Sequence, residues 1–296
     1  MVNYALKPLG LEPALASGEG MNNSRSLPGA LKVRKVSMCY DISIYTNPAK
    51  VEERFAATFA EPDRELFEPS YHISAHRLEK PMIPVIANKA PRHIHMFLWG
   101  LIPPWNQEYD GQWRRKMANA KAETLLTRKT YKKPAQKQRC LILADGFFEW
   151  RHIKNKTYPY YIYRANRQPF AIAGIWEYNQ HLNSHSVSLI TTSANPLLAK
   201  IHNKKERMPA ILRPEHERMW IDDEGTVEEK VKLLEPFPQE EMAAHTISKR
   251  ITQKDGDSNV PEVIEPATYP ELEKYGNPGD QSQTSPDSDN PQTSLF

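Results

Sequence analysis

The sequence predicts an α+β fold: a strongly curved, mostly antiparallel sheet closing towards a barrel, with short helices at its edges. Three observations carry this. Proline is abundant, at 25, and glycine scarce, at 12, which favours extended segments and irregular connections over long helices. Short apolar runs of strand character recur along most of the chain. The helix-start signals open only short apolar-periodic stretches. The 296 residues suffice for one large or two ordinary domains. One is predicted, because the segments that carry chemistry are spread from 39 to 202 and must converge.

Cys39 to Tyr45 alternates like a strand. Asn47-Pro48 reads as an N-cap followed by proline at the first helical position, opening a helix through Val51, Phe55, Ala56 and Phe59. Tyr71 to Ser74 is a short extended piece. Val85 to Ala87 and His93 to Trp99 form a hairpin with Asn88-Lys89 at its turn. Cys140 to Ala144 is a continuous apolar run, hence a buried strand, which makes Cys140 a core thiol. Tyr158 to Tyr163, Phe170 to Trp176 and Ser186 to Thr192 add three strands. Asn195-Pro196 opens a helix ending near Ile201, and Pro214 opens another through Trp220. Thr226 to Glu229 is a capping box for a helix through Leu234. Residues 246–268 read as extended.

Three regions of the chain are expected: 1–37 as a disordered extension or sequence upstream of the real start, 38–268 as the domain, and 269–296 as a disordered tail. The tail is rich in Pro, Ser, Gln, Asn and Asp and has no apolar period. Residues 1–37 lack the apolar core of a secretory signal. No apolar run approaches the roughly 18 residues of a membrane span. Two cysteines, Cys39 and Cys140, make no disulfide framework, so a reducing cytoplasm is the expected compartment. They also give no zinc pattern with the scattered histidines, so no metal and no cofactor are expected. His93 and His95 share one strand face, read as solvated. The net charge of +3 is mild, so its distribution matters more than its sum. Residues 114–139, opening on Arg114 and Arg115, hold ten Lys or Arg and one acid, Glu123. That excess suits a phosphate-tracking surface, and equally an ordinary solvated helix and loop.

Chemistry is concentrated at Met38-Cys39-Tyr40-Asp41. A cysteine that begins a chain offers a thiol and an α-amine two carbons apart. The amine can form an imine with an aldehyde, and the thiolate can then close a five-membered thiazolidine. An α-amine has a pKa of about 7.7–8.0 against about 10.4 for lysine, so its unprotonated fraction at pH 7 is larger by roughly two to three powers of ten. This requires translation from Met38 with removal of that methionine, or a processing cut before Cys39. Three further polar groups sit in awkward places. Asn119 lies among small residues that leave room for close approach; a helix cap is the plainer reading. Glu149 follows a buried strand and two phenylalanines, where a carboxylate must be used or paired. His202 lies just past a helix, either titrating in the working range or a satisfied core histidine.

Taken together, Met38-Cys39, Tyr71 to Ser74, Trp99 to Trp105, Asn119 to Glu123, Ala144 to Trp150 and Ile201 to Pro209 occur in the order of the SRAP family, the SOS-response-associated, abasic-site-processing proteins. The resemblance covers about 39–268. It implies an SRAP-like fold and a sensor of abasic sites in single-stranded DNA, joined covalently through the aldehyde at C1′, acting as a monomer. Carried over, Cys39 is the nucleophile and imine-forming amine, and Asn119 positions the cysteine and the sugar. Glu149 transfers protons, and His202 assists ring opening and reversal. Lys121 stands where the family commonly has arginine and would hold a phosphate as a point charge. Trp105 would stack on or wedge between bases. Self-trimming peptidase activity has also been proposed in the family. Two positions depart from its pattern. Tyr40-Asp41 replaces Gly-Arg after the cysteine, and His72 to Ala75 replaces Asn-x-Ala-Pro in one wall of the pocket, where His72 faces the DNA.

At the end of the chain, Gln292, Leu295 and Phe296 look like the Gln-x-x-Leu-Phe peptide that docks on the bacterial replicative sliding clamp. Two other functions remain open at this point. An N-terminal-cysteine amidohydrolase would release ammonia from glutamine. A non-covalent single-strand binder would tolerate Cys39→Ala.

Overall fold

The computed structural model describes residues 39–253 and 256–278. Its strands are β1 Asp41–Ile44, β2 Thr58–Phe59, β3 Ser70–Ser74, β4 Met82–Ala87, β5 His93–Trp99, β6 Asn119–Lys121, β7 Arg139–Ala144, β8 Gly146–Ile153, β9 Lys156–Arg164, β10 Phe170–Asn179, β11 Ser184–Ser193, β12 Arg207–Pro209 and β13 Met242–Thr246. The helices are short: α1 Pro48–Phe55, α2 Asp63–Leu66, α3 Gly111–Lys116, α4 Lys129–Lys137, α5 Pro196–Ile201, α6 Pro214–Ile221 and α7 Val227–Val231. No helix among the described residues is long and apolar enough to cross a membrane.

The strands form two sheets. One runs β13-β9-β8-β1-β3, all antiparallel. The other runs β12-β11-β10-β7-β4-β5-β2. In it β11 also pairs with β5, in parallel, through Ser186 to Leu98 and Val187 to Trp99. That pairing joins β11, β10, β7, β4 and β5 into a closed five-stranded barrel. Closure removes the open edges that strands otherwise present. The sequence pattern follows: β7 buries all six residues and β10 nearly all of its ten, so both read as continuous apolar runs. β1 is likewise fully buried, between β3 and β8.

Five expectations are corrected. The first helix stops at Phe55, because Ala56 turns left-handed at φ 47°, its N–H capping the carbonyls of Glu52 and Glu53. Phe59 lies instead in β2, where its N–H donates to Glu52 Oε1 at 2.8 Å. The Thr226 capping box is present, but α7 ends at Val231 and only tighter turns reach Leu234. Residues 246–268 are not extended throughout: 3₁₀ turns occupy Lys249–Thr252 and Pro261–Ile264. His95 is not solvated; its Nδ1 lies 2.8 Å from Asp63 Oδ2, in the barrel-side cluster with Phe97 and His185. The packed chain also extends past 268, since a 3₁₀ turn at Pro270–Tyr275 buries Leu272. The expected segments 1–37 and the clamp-like peptide lie outside the described residues.

Candidate active site

Cys39 stands at the mouth of β1, wholly buried at 1% exposure. Antiparallel pairing of Ile42 with Phe147 and Ser43 with Gly146 lays β1 along β8. Glu149 lies further along β8, in register with Tyr160, and is also 1% exposed. Asn119 begins β6, which runs parallel to β11 with Asn119 opposite Leu189. Its Nδ2 donates to the Cys39 carbonyl at 2.9 Å. The strand is fixed behind it: Tyr131 Oη donates to the Asn119 carbonyl at 3.1 Å, and Trp99 Nε1 to the Ala118 carbonyl at 3.0 Å. His202 is the C-cap of α5, a helix set by Asn195, whose side chain accepts from Leu198 N at 2.8 Å. The two sheets and α5 thus deliver four residues from four separate parts of the chain to one point.

His202 Nδ1 donates to the Arg207 carbonyl at 2.9 Å, which fixes the tautomer and leaves Nε2 with its lone pair. The same Nδ1 is 3.6 Å from Glu149 Oε1. Cys39, Glu149 and His202 place one ligand-type atom each within 4.8 Å of one another. Three buried polar atoms of this group make no hydrogen bond within the protein: Asn119 Oδ1, Glu149 Oε1 and His202 Nε2. Each such atom is costly to bury and marks a place where a reacting group can be received.

Burial sets the protonation states. It pushes the Cys39 thiol well above its ordinary value, helped by the nearby Glu149 carboxylate that accepts its hydrogen bond. It pushes the Glu149 carboxyl well above the carboxylate range, against the opposing hydrogen bond from Cys39 and reinforced by the charge of Asp41. It lowers His202, so the imidazole is neutral. Burial thus favours the uncharged forms of the group, a thiol, a carboxylic acid and a neutral imidazole, with proton donors and acceptors in contact.

Other residues singled out in the sequence fall in different surroundings. Lys121 is exposed and lies two residues along β6 from Asn119, hence on the same strand face. Trp105 is 65% exposed on a loop tied down by Asn179, whose Nδ2 donates to the carbonyls of Pro103 and Asn106 at 2.7 and 2.8 Å. Arg115 is half-buried. Arg114 is not a surface cation: it is 0% exposed, and its guanidinium donates to the carbonyls of Trp99, Ala75 and Leu78 at 2.6, 2.8 and 3.1 Å. It is held inside the fold joining three chain segments, out of reach of a phosphate. His72 is corrected likewise. Its Nε2 lies 2.9 Å from Asp41 Oδ1 and its Nδ1 2.8 Å from Ser258 Oγ, in a buried chain of hydrogen bonds. The two departures from the family pattern, Asp41 and His72, are therefore partners of one another.

Sequence reading missed Arg207. On β12 it forms a two-pronged pair with Glu123, at 2.5 and 3.0 Å, and donates to the Thr191 carbonyl at 2.6 Å. It thereby holds the carbonyl that orients His202. One signal was available: Glu123 is the single acid in the basic stretch 114–139, and a lone acid there implies a specific basic partner.

Comparison with known proteins gives the family of the chain. The family model of the SOS response associated peptidase (SRAP) matches residues 38–254. The abasic site processing protein YoqW of Bacillus subtilis (strain 168) is 31% identical over 233 residues, covering 77% of this chain and 99% of its own. The abasic site processing protein YedK of Escherichia coli (strain K12) is 28% identical over 174 residues, covering 56% and 74%. A crystal structure of a protein from Bacteroides thetaiotaomicron superposes with a TM-score of 0.70 at 32% identity, covering 78% of this chain and 100% of that one. The chain belongs to the SOS response associated peptidase (SRAP) family.

Proposed function

We propose that this protein processes abasic sites in the DNA damage response, capturing them in single-stranded DNA as a covalent thiazolidine through Cys39 as first residue of the mature chain. The observation that supports this most is the contact of a buried thiol with a carboxylic acid and a neutral imidazole, under an asparagine that holds the thiol's own backbone. The names of relatives covering most of the chain point the same way.

The chemistry balances with one water lost. The ring-opened sugar presents an aldehyde at C1′. The Cys39 α-amine adds to it, and the carbinolamine hydroxyl leaves as water when Glu149, held protonated by its burial, gives up its proton. The thiol then adds to the iminium carbon and its proton returns to the Glu149 carboxylate, which leaves the ring nitrogen neutral and the acid restored. His202, fixed by the Arg207 carbonyl, accepts and returns protons at the sugar during ring opening, and in reversal. Asn119 anchors the cysteine by its carbonyl, and its unpaired Oδ1 receives the amine or a sugar hydroxyl. Lys121 and Arg115 supply phosphate contacts and Trp105 a stacking surface. The clamp-like tail would concentrate the protein at replication gaps; deleting 292–296 and finding clamp affinity unchanged would remove that part.

Intact-protein mass spectrometry before and after incubation with single-stranded DNA carrying one abasic site tests the reading. The expected result is a mass beginning at Cys39, then an adduct equal to protein plus DNA minus water, absent for Cys39→Ala. A mature Cys39 start without any adduct would overturn it. Ammonia release from glutamine would instead favour the amidohydrolase, and unchanged retention of DNA by Cys39→Ala a non-covalent binder.

A further inference from the structure

We propose that Cys39, Glu149 and His202 form a binding site for a divalent zinc-like ion, and that its occupation holds the thiol out of reaction. The mutual separations of the three ligand-type atoms, all under 4.8 Å, are close to those of a metal centre. Zinc bonds of about 2.3 Å to sulfur and about 2.0–2.2 Å to nitrogen and oxygen put tetrahedral ligands roughly 3.2–3.7 Å apart. Closing from the 4.8 Å bound to that spacing takes a contraction of roughly 1.1–1.6 Å at most, through side-chain rotation.

Two further features suit an ion. Two atoms that would bind the ion, Glu149 Oε1 and His202 Nε2, have no hydrogen-bond partner in the protein. The imidazole donates its Nδ1–H to a backbone carbonyl, the outer contact that metal-binding histidines commonly make to fix their tautomer. That carbonyl belongs to Arg207, itself clamped by Glu123 and Thr191, so the support is rigid. Charge also balances. A dication entering releases one proton from the Cys39 thiol and one from the Glu149 carboxyl. The result is a neutral complex of thiolate, carboxylate, imidazole and metal, as burial at 0–1% exposure requires. The open fourth position of such a three-ligand site takes water. In a chain beginning at Cys39 it takes the α-amine instead, closing a five-membered chelate with the thiolate. The switch rests on the proposed capture chemistry; the metal site itself does not. A metal on sulfur and nitrogen occupies both groups that capture an aldehyde, so zinc would guard the thiol until a chelating competitor removes it.

The sequence hides this site because its ligands come from a strand mouth, a strand middle and a helix cap with no short spacing between them. The test uses cobalt(II) as a spectroscopic stand-in, added to the full protein under reducing conditions. The expected result is one equivalent bound, with thiolate-to-cobalt charge transfer in the near ultraviolet and visible bands of a tetrahedral centre. Cys39→Ser abolishes the charge transfer, His202→Ala weakens binding at least tenfold, and Cys140→Ala changes neither. Zinc then bleaches the cobalt spectrum and slows cross-linking to an abasic strand at least tenfold, reversed by EDTA. No charge transfer, or charge transfer that survives Cys39→Ser, overturns the site; cross-linking at full rate in the zinc-loaded protein overturns the switch. A spectrum without any adduct in metal-free protein would sink the capture reading and leave the site standing. An adduct without a spectrum would do the reverse.

Discussion

Under the proposed capture chemistry, Glu149 trades stability for proton transfer. Its carboxyl is held well above the ordinary carboxylate range by burial. A raised folded-state value means the protonated form is the one the fold favours. Stability from that proton is complete in acid and is lost as pH rises above the unfolded carboxyl's value, by about 1.4 kcal/mol for each pH unit until the raised value is reached. Glu149→Gln keeps the shape and removes the ionisation. It should leave stability unchanged near pH 4 and raise it progressively at pH 7–8, while cutting cross-linking by roughly 10²–10⁴-fold through loss of proton transfer. Thermal melts from pH 4 to 8 check the first part; a variant that melts lower than the parent at pH 8 would show that Glu149 is charged and paired. His185 carries the opposite dependence. Burial among Phe97, Trp176 and Tyr178, with His95 beside it, pushes it down to about 4. Its folded-state value lies below that of the unfolded chain, so its contribution is complete above about pH 6.5 and is lost as pH falls to about 4. The shift amounts to about 3 kcal/mol. Urea midpoints of His185→Phe should therefore fall less steeply between pH 6.5 and 4 than those of the parent; equal slopes would refute this.

At the scale of elements, the joint between β5, α3 and the end of β3 depends on a glycine. Gly100 has φ +118°, and a Cβ there would strike Arg114 Cγ and the Arg114 carbonyl oxygen. The close approach is what lets the Arg114 guanidinium reach three carbonyls at once. Gly100→Ala should cost about 3 kcal/mol or more, from backbone strain and overpacking together, lowering Tm by roughly 10 °C. A drop under about 2 °C would mean that the joint yields. This joint also shows where sequence reading ran out. Elements whose pattern is local were legible: the β7 run, the Asn195-Pro196 start of α5 and the hairpin of β4 and β5 match closely. Asn119, Glu149 and His202 each had a plain reading alone; the order of the segments that carry them, not their local setting, singled them out, and the fold brings them together at Cys39. Pairings between distant segments were not legible. Arg114 resembles any surface arginine until Gly100 and three carbonyls surround it. Asp41 read as a lost basic contact to DNA and His72 as a residue facing it, and only the pairing of β1 with β3 makes them one buried pair. The parallel β11–β5 contact that closes the barrel leaves no mark on either strand, because both are simply apolar.

For the molecule as a whole, net charge is +3, too small to draw DNA from a distance at physiological salt. Attraction must come from where the charge lies. Two of the ten bases in 114–139 are removed from that sum: Arg114 is buried, and Arg139 donates to the carbonyls of Trp220 and Asp222. The others remain at or near the surface. On α4, Lys129, Lys132 and Lys133 are exposed at helical spacing, while Tyr131, Pro134 and Ala135 turn to the core. The helix is anchored directly behind Asn119 through the Tyr131 hydroxyl, so its basic face is fixed relative to the candidate site. If that face tracks phosphates, replacing the three lysines by glutamate should weaken binding to an intact single strand. The log–log slope against salt should flatten by about 0.7 for each phosphate that the variant leaves unneutralised. Cross-linking at saturating DNA should proceed at the parental rate, since no group at Cys39 is touched. Fluorescence anisotropy from low to high salt reads the slope. An unaltered slope would make the α4 lysines an ordinary solvated face and leave Lys121 and Arg115 to carry the backbone alone.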